Sequence, residues 1–201
     1  MTDYYHHHFQ KYHEKTFPVD PSVFLSPLLK RLSPGALILD VGCGSGRDLL
    51  WFKKQGCQVI GLERSAGLAK LAGEIAGCEI IEQDFETFDF STLKSDGILL
   101  VGALVHLTHE RMPIVFARIV SALNNQGLVL ISLKEGKGSF IDRYGRTFYF
   151  WRDGELRKIF KEHGFKVVNF SRQTSRLGTD DVWLGYVLES GTSQKDKGGG
   201  G

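Results

Sequence analysis

The chain has 201 residues, 42% of them hydrophobic and 24% charged, with a formal net charge of +2. That length suits one domain with a sizeable core, in a composition typical of soluble globular proteins. A charge so mild does not by itself call for nucleic acid, no apolar run approaches a membrane span, and no secretory leader is expected.

The opening stretch "MTDYYHHHFQKYHEKTF" is polar and aromatic, with helical character up to Thr16. "VDPSVFLSPLLKRLSPG" predicts a short helix that starts near Asp20 or Ser22 and stops at Pro34-Gly35. Strands and helices then alternate. "ALILDVG" is a continuous apolar run, the mark of a parallel strand buried on both faces. "RDLLWFKKQG" has helical spacing and ends at Gly56, and "CQVIGLE" is a second strand. "SAGLAKLAGEIAG" is a helix opened by Ser65; "CEIIEQD" and "SDGILLVG" read as strands three and four. "THERMPIVFARIVSALNNQG" predicts an amphipathic helix over 108–127, and "LVLISLKEG" a fifth strand. "KGSFIDRYGRTFYFW" reads as an elaborated loop rather than a sheet element. "RDGELRKIFKEHG" is a helix, and "FKVVNFSRQTS" and "VWLGYVLES" form a hairpin across "RLGTDD". The expected fold is α/β: a doubly wound, mostly parallel seven-stranded sheet ending in an antiparallel hairpin. Residues 1–189 make the domain, with cap helices over 1–33, and 190–201 read as a disordered tail.

Three glycines in five positions (Gly42, Gly44, Gly46) follow the first strand, where ligands of such sheets bind. A dinucleotide fingerprint would need glycine where Arg47 stands, and a P-loop would need a following GK[ST]. What stands here is D-x-G-x-G-x-G, Asp40 to Gly46. This resembles motif I of the class I S-adenosylmethionine-dependent methyltransferases, and the resemblance spans roughly residues 4–189. It implies their Rossmann-like fold, S-adenosyl-L-methionine as cofactor, and Glu63, at the end of strand two, on the ribose hydroxyls. It places Asp84 at the adenine amine and Phe85 beside the ring, although the acids of "QDFETFDF" suit a solvated surface equally well. Cys43, Arg64 and Val101 join the implied cofactor set. "CGSGRD", "DGILLVGALVHL" and "YGRTFYFW" resemble a subgroup of small bacterial methyltransferases, whose paired-tyrosine N-terminus covers the cofactor. There Arg47 would pair with the methionine carboxylate. Where the family often has a more polar residue, Gly102 or Val105 stands here, a departure that bears on the substrate.

His106, just past strand four, is the candidate base; its plain alternative is a histidine hydrogen-bonded at a helix start. Tyr4, Tyr5 and Tyr12 read either as a lid or as packing against the first helix. Arg143, Tyr144 and Arg146 either bind an anionic or planar acceptor or pack their loop on the sheet. Trp151 and Trp183 suit a core, and His109 faces water. The run His6-His7-His8 lacks a Cys/His partner cluster, so no metal is expected. Cys43, Cys57 and Cys78 are odd in number and unclustered, which suits reduced thiols in a cytoplasm. The expected function is methyl transfer to a small-molecule acceptor, with nucleic acid and membrane not expected as partners. The alternatives are an RNA or protein methyltransferase, or a non-catalytic cofactor-binding module.

Overall fold

The computed structural model describes residues 4–191. The tail expected from residue 190 lies, from 192 on, outside the described residues, and Ser190 itself belongs to the last strand. The N-terminal segment forms two short helices, α1 (Tyr4–His7) and α2 (Phe9–Thr16), followed by α3 (Ser22–Leu29). Alternation then runs β1 (Leu37–Val41), α4 (Arg47–Lys54), β2 (Gln58–Leu62), α5 (Ala66–Ala76), β3 (Glu79–Ile81), β4 (Ser95–Val101), α6 (Arg111–Ile119) and β5 (Leu123–Lys134). A small hairpin of β6 (Ser139–Ile141) and β7 (Thr147–Tyr149) precedes α7 (Asp153–Glu162), β8 (Phe165–Thr174) and β9 (Val182–Ser190).

The main sheet has seven strands in the order β3-β2-β1-β4-β5-β9-β8. All neighbours are parallel except β9, which runs antiparallel to both β5 and β8. β1 shows why the sheet is buried on both faces. Leu39 and Val41 enter one apolar cluster with α6 and α7, and Ile38 enters the other with α3 and α4. Strand order reverses between β1 and β4, so a crevice opens at their carboxyl ends.

Two expectations need correction. The helix expected over 108–127 ends at Ile119, a 3-10 turn spans Val120–Ala122, and Leu123 already pairs with Ser95. The stretch expected as a loop after β5 contains a paired β-hairpin, Phe140 opposite Phe148. Its turn is built by Asp142, whose Oδ1 accepts from the backbone N–H of Tyr144 and Arg146.

Candidate active site

The glycine run enters the crevice from β1. Gly44 has φ +57 and Gly46 has φ +81, a left-handed region that glycine occupies without steric cost. A Cβ on Gly46 would stand 2.9 Å from Ala72 Cα, so α4 and α5 pack closely because position 46 is bare. A fingerprint's third glycine lets helix and strand approach; Gly46, one residue earlier, lets two helices approach instead. A Cβ on Gly44 would meet the Tyr12 ring at 3.5 Å, which leaves that loop's backbone facing α2.

A cavity of about 390 Å³ occupies the crevice. Tyr5, Tyr12, Asp40, Gly42, Cys43, Gly44, Arg47 and Val101 line one side, and Arg143, Tyr144 and Arg146 reach it from the β6–β7 hairpin. Glu63, Arg64, Asp84 and Phe85 are not on its walls. The N-terminal helices close that side of the crevice: Ser65 Oγ donates to the Tyr5 carbonyl at 3.0 Å, and the Phe9 ring lies on Gly67. Glu63 is buried at the end of β2, and its carboxylate accepts from Gly44 N–H at 3.0 Å and Ser65 N–H at 2.8 Å. Burial raises its pKa, and these N–H donors oppose the shift. Arg64 pairs with Asp84 at 3.2 Å, and Phe85 is in the core.

The donor chemistry fits the implied cofactor. A carboxylate offers about four acceptor positions, so Glu63 is not saturated by the backbone N–H groups of Gly44, Ser65 and Arg64. Arg47 gives Nε and Nη2 to Asp48 and Nη1 to the Thr16 carbonyl, which leaves two of its five N–H groups for an anion. Asp40 is buried, and burial, with Asp48 beside it, raises its pKa well above the ordinary carboxylate range. Burial likewise raises the Cys43 and Tyr12 pKa values, so the Cys43 thiol stays protonated rather than nucleophilic.

His106 lies in a 3-10 turn after β4 and does not wall the cavity. Its Nδ1 is 2.7 Å from the Thr147 carbonyl and its Nε2 is 2.9 Å from Tyr5 Oη. Burial lowers its pKa; Thr147 O favours the charged ring, while Arg146 and Lys134 disfavour it. His109, expected to face water, instead packs its ring against Trp151 in a tilted contact, centroids 4.4 Å apart, with Nε2 donating to the Phe150 carbonyl. Trp151 is core, but Trp183 lines the cavity, with Lys134, Ser132, Phe148 and Asp181. Lys134 Nζ sits 4.1 Å above the Phe148 ring and binds Asp181 at 2.8 Å. The sheet register, which sets Lys134 opposite Trp183, makes this wall, and no local motif signals it. Among the described residues no cluster could hold a metal ion, and no helix is long and apolar enough to cross a membrane.

Residues 38–127 match the family model of a methyltransferase domain. A probable fatty acid methyltransferase of Mycobacterium tuberculosis is 32% identical over 141 residues, which cover 63% of this chain and 31% of that protein. The chain therefore matches less than a third of that relative's length. An uncharacterized methyltransferase of Geobacillus is 28% identical over 66% of this chain and 71% of its own. Among solved structures, the Burkholderia thailandensis 1,6-didemethyltoxoflavin-N1-methyltransferase, with bound 1,6-didemethyltoxoflavin and S-adenosylhomocysteine, superposes with a TM-score of 0.76. It is 22% identical, covering 94% of this chain and 84% of that one. Magnesium protoporphyrin IX methyltransferase of Synechocystis, with S-adenosylhomocysteine, gives 0.76 at 17% identity, covering 94% and 96%. Motif I at the switch point and the sheet order with its antiparallel β9 agree with the comparisons: residues 38–127 match a methyltransferase domain, and the fold is that of the solved methyltransferases.

Proposed function

We propose that the protein transfers a methyl group from S-adenosylmethionine to a small-molecule acceptor. The observation that carries this reading is the cavity itself. It is roofed by α1 and α2, walled by aromatic rings and cations, and continuous from the glycine loop to the β6–β7 hairpin. A compartment of that size suits a small acceptor better than a nucleic-acid strand, and the toxoflavin enzyme offers a precedent among proteins of this fold.

When bound, the cofactor supplies a methyl carbon already activated by positive sulfur. The chain's own part is to bind, align and exclude water, and orientation of this kind is worth on the order of 7–11 kcal/mol in the best cases. In this reading the Gly42–Gly44 backbone and Cys43 cradle the ligand, Glu63 takes the ribose hydroxyls, and Arg64, Asp84 and Phe85 frame the base. The free N–H groups of Arg47 take the carboxylate, and Asp40 and Val101 border the methionine arm. Glu63 and Asp84 lie outside the present cavity, so α1 and α2 lift from α5 to admit the nucleoside and then close again. Tyr5 and Tyr12 shield the sulfur from water, and Arg143, Tyr144 and Arg146 contact the acceptor.

Calorimetry with S-adenosylmethionine and with NAD tests the cofactor, with binding expected for the first alone. Methyl transfer assayed on small-molecule, RNA and peptide pools tests the acceptor. Tighter NAD binding, or transfer to RNA or peptide only, overturns the reading.

A further inference from the structure

Tyr5 walls the cavity and His106 does not, yet the two side chains are joined by a 2.9 Å hydrogen bond. What each atom can do settles the direction of that bond. Thr147 O can only accept, so Nδ1 carries the ring proton and the neutral imidazole presents a bare lone pair at Nε2. Tyr5 O–H is then the donor, and its oxygen faces Arg146 Nη1 at 3.4 Å. The Arg146 guanidinium is itself fixed by Asp142 at 2.7 Å and lies over the Tyr4 ring at 4.0 Å. Tyr5 thus stands between the cavity and a histidine that holds no proton on the nitrogen facing it.

We propose that Tyr5 and His106 form a proton relay. Tyr5 receives the acceptor's proton while its own passes to His106 Nε2. The acceptor is accordingly a molecule whose hydroxyl or N–H must lose a proton, not a carboxylate. This rests on the methyl-transfer reading above and gives Tyr5 a catalytic role and His106 a role exerted through it.

The step balances. The acceptor heteroatom gives a lone pair to the methyl carbon, and the carbon–sulfur bond breaks with its electrons remaining on sulfur. The heteroatom's proton moves to Tyr5 Oη as the Tyr5 proton moves to His106 Nε2. The phenol is regenerated neutral, and the positive charge lost at sulfur reappears on the imidazolium, whose Nδ1–H keeps its bond to Thr147 O.

The groups facing His106 set the resting state. Burial, Arg146 and Lys134 disfavour the imidazolium, while Thr147 O and Asp142 favour it, and burial keeps the Tyr5 phenol protonated. Near neutral pH the pair is a neutral phenol on a neutral imidazole, ready to take a proton inward.

Nitrogen-15 NMR of the imidazole in the full chain reads the tautomer with no turnover involved. Expected are a protonated Nδ1, a bare Nε2 at neutral pH, and an Nε2 resonance that moves in Tyr5→Phe. A proton on Nε2, or a resonance indifferent to Tyr5→Phe, overturns the relay whatever the acceptor. Turnover with 4-methylphenol and with octanoate as probes then reads the roles. With the phenol, Tyr5→Phe and His106→Gln should lower kcat by about a hundredfold at neutral pH. Their rates should climb with hydroxide where wild type levels off, and S-adenosylhomocysteine affinity should stay within about threefold. A bond that serves only as a latch would change that affinity and leave the pH profile intact, which overturns the proposal. Transfer to octanoate but not to the phenol overturns it as well. If neither probe is turned over, the tautomer and its response to Tyr5→Phe decide. Failure of the cofactor to bind sinks the methyl-transfer reading and leaves the tautomer result standing.

Discussion

Asp40 borders the cavity with a buried carboxyl, and the charge of Asp48 adds to the burial that raises its pKa. An acid whose pKa is raised by folding favours the fold while it is protonated. That contribution is lost as pH climbs from the ordinary carboxylate pKa through the raised value. Asp40→Asn removes the ionisation and keeps the shape. It should therefore be more stable than wild type at pH 8, by on the order of 1–3 kcal/mol, and the difference should vanish near pH 4. Denaturant melts at the two pH values check this; a variant less stable at pH 8 would mean that a partner holds the Asp40 carboxylate ionised. Gly46 makes the opposite case. Its φ of +81 and the 2.9 Å approach of Ala72 Cα leave no room for a methyl group. Gly46→Ala should cost on the order of 2–3 kcal/mol in the same melts, while Gly35→Ala, with a similar φ but nothing within 4 Å, should cost less.

At the scale of elements, legibility followed how local the cause was. β1, its glycine loop and α4 are one continuous stretch, so motif and geometry coincide there. α6 overran because "SALNNQG" continues a helical rhythm, whereas the chain breaks at Ile119 to pair Leu123 with Ser95, and Gln126 adopts φ +63. The β6–β7 hairpin was hidden in an aromatic, glycine-rich run, although Asp142 and Gly145 are turn residues in hindsight. The cavity wall beyond the motif was illegible for a firmer reason: Lys134 meets Trp183, 49 positions later in the chain, only through strand pairing. The N-terminal helices lie between these cases. They contain no buried residue and rest on α5 through Phe9 on Gly67 and Tyr5 on Ser65. Gly67→Ala tests that seat. Its methyl would meet the Phe9 ring at 2.6 Å, while alanine favours α5 itself by roughly 1 kcal/mol. Hydrogen exchange over residues 9–16 should rise with the melting temperature nearly unchanged; unchanged exchange would mean that Phe9 does not anchor α2.

At the scale of the whole molecule, stability and binding draw on different parts of the chain. Two apolar clusters on the two faces of the sheet supply the core, and the cavity lies beyond them at the carboxyl edge of β1 and β4. Ligand free energy therefore adds to a fold that already stands without it. S-adenosylhomocysteine at a hundred times its Kd should stabilise the protein by about 2.7 kcal/mol. For a chain of this length that is a rise in Tm of roughly 5–11 °C. The gain should not be spread evenly. β5 and β9 are packed in the core, so their amides should already open only with global unfolding, and ligand should change them mainly through that global term. Residues 4–16 contain no buried residue and rest on α5, on the cavity rim and, through Tyr5, on His106, so their local opening should be suppressed most. Differential scanning calorimetry and hydrogen exchange, each with S-adenosylhomocysteine and with NAD, measure both halves of the expectation. A Tm unmoved by S-adenosylhomocysteine would remove the cavity from cofactor binding. A raised Tm with no added protection over residues 4–16 would keep the site but show that α1 and α2 do not close on it.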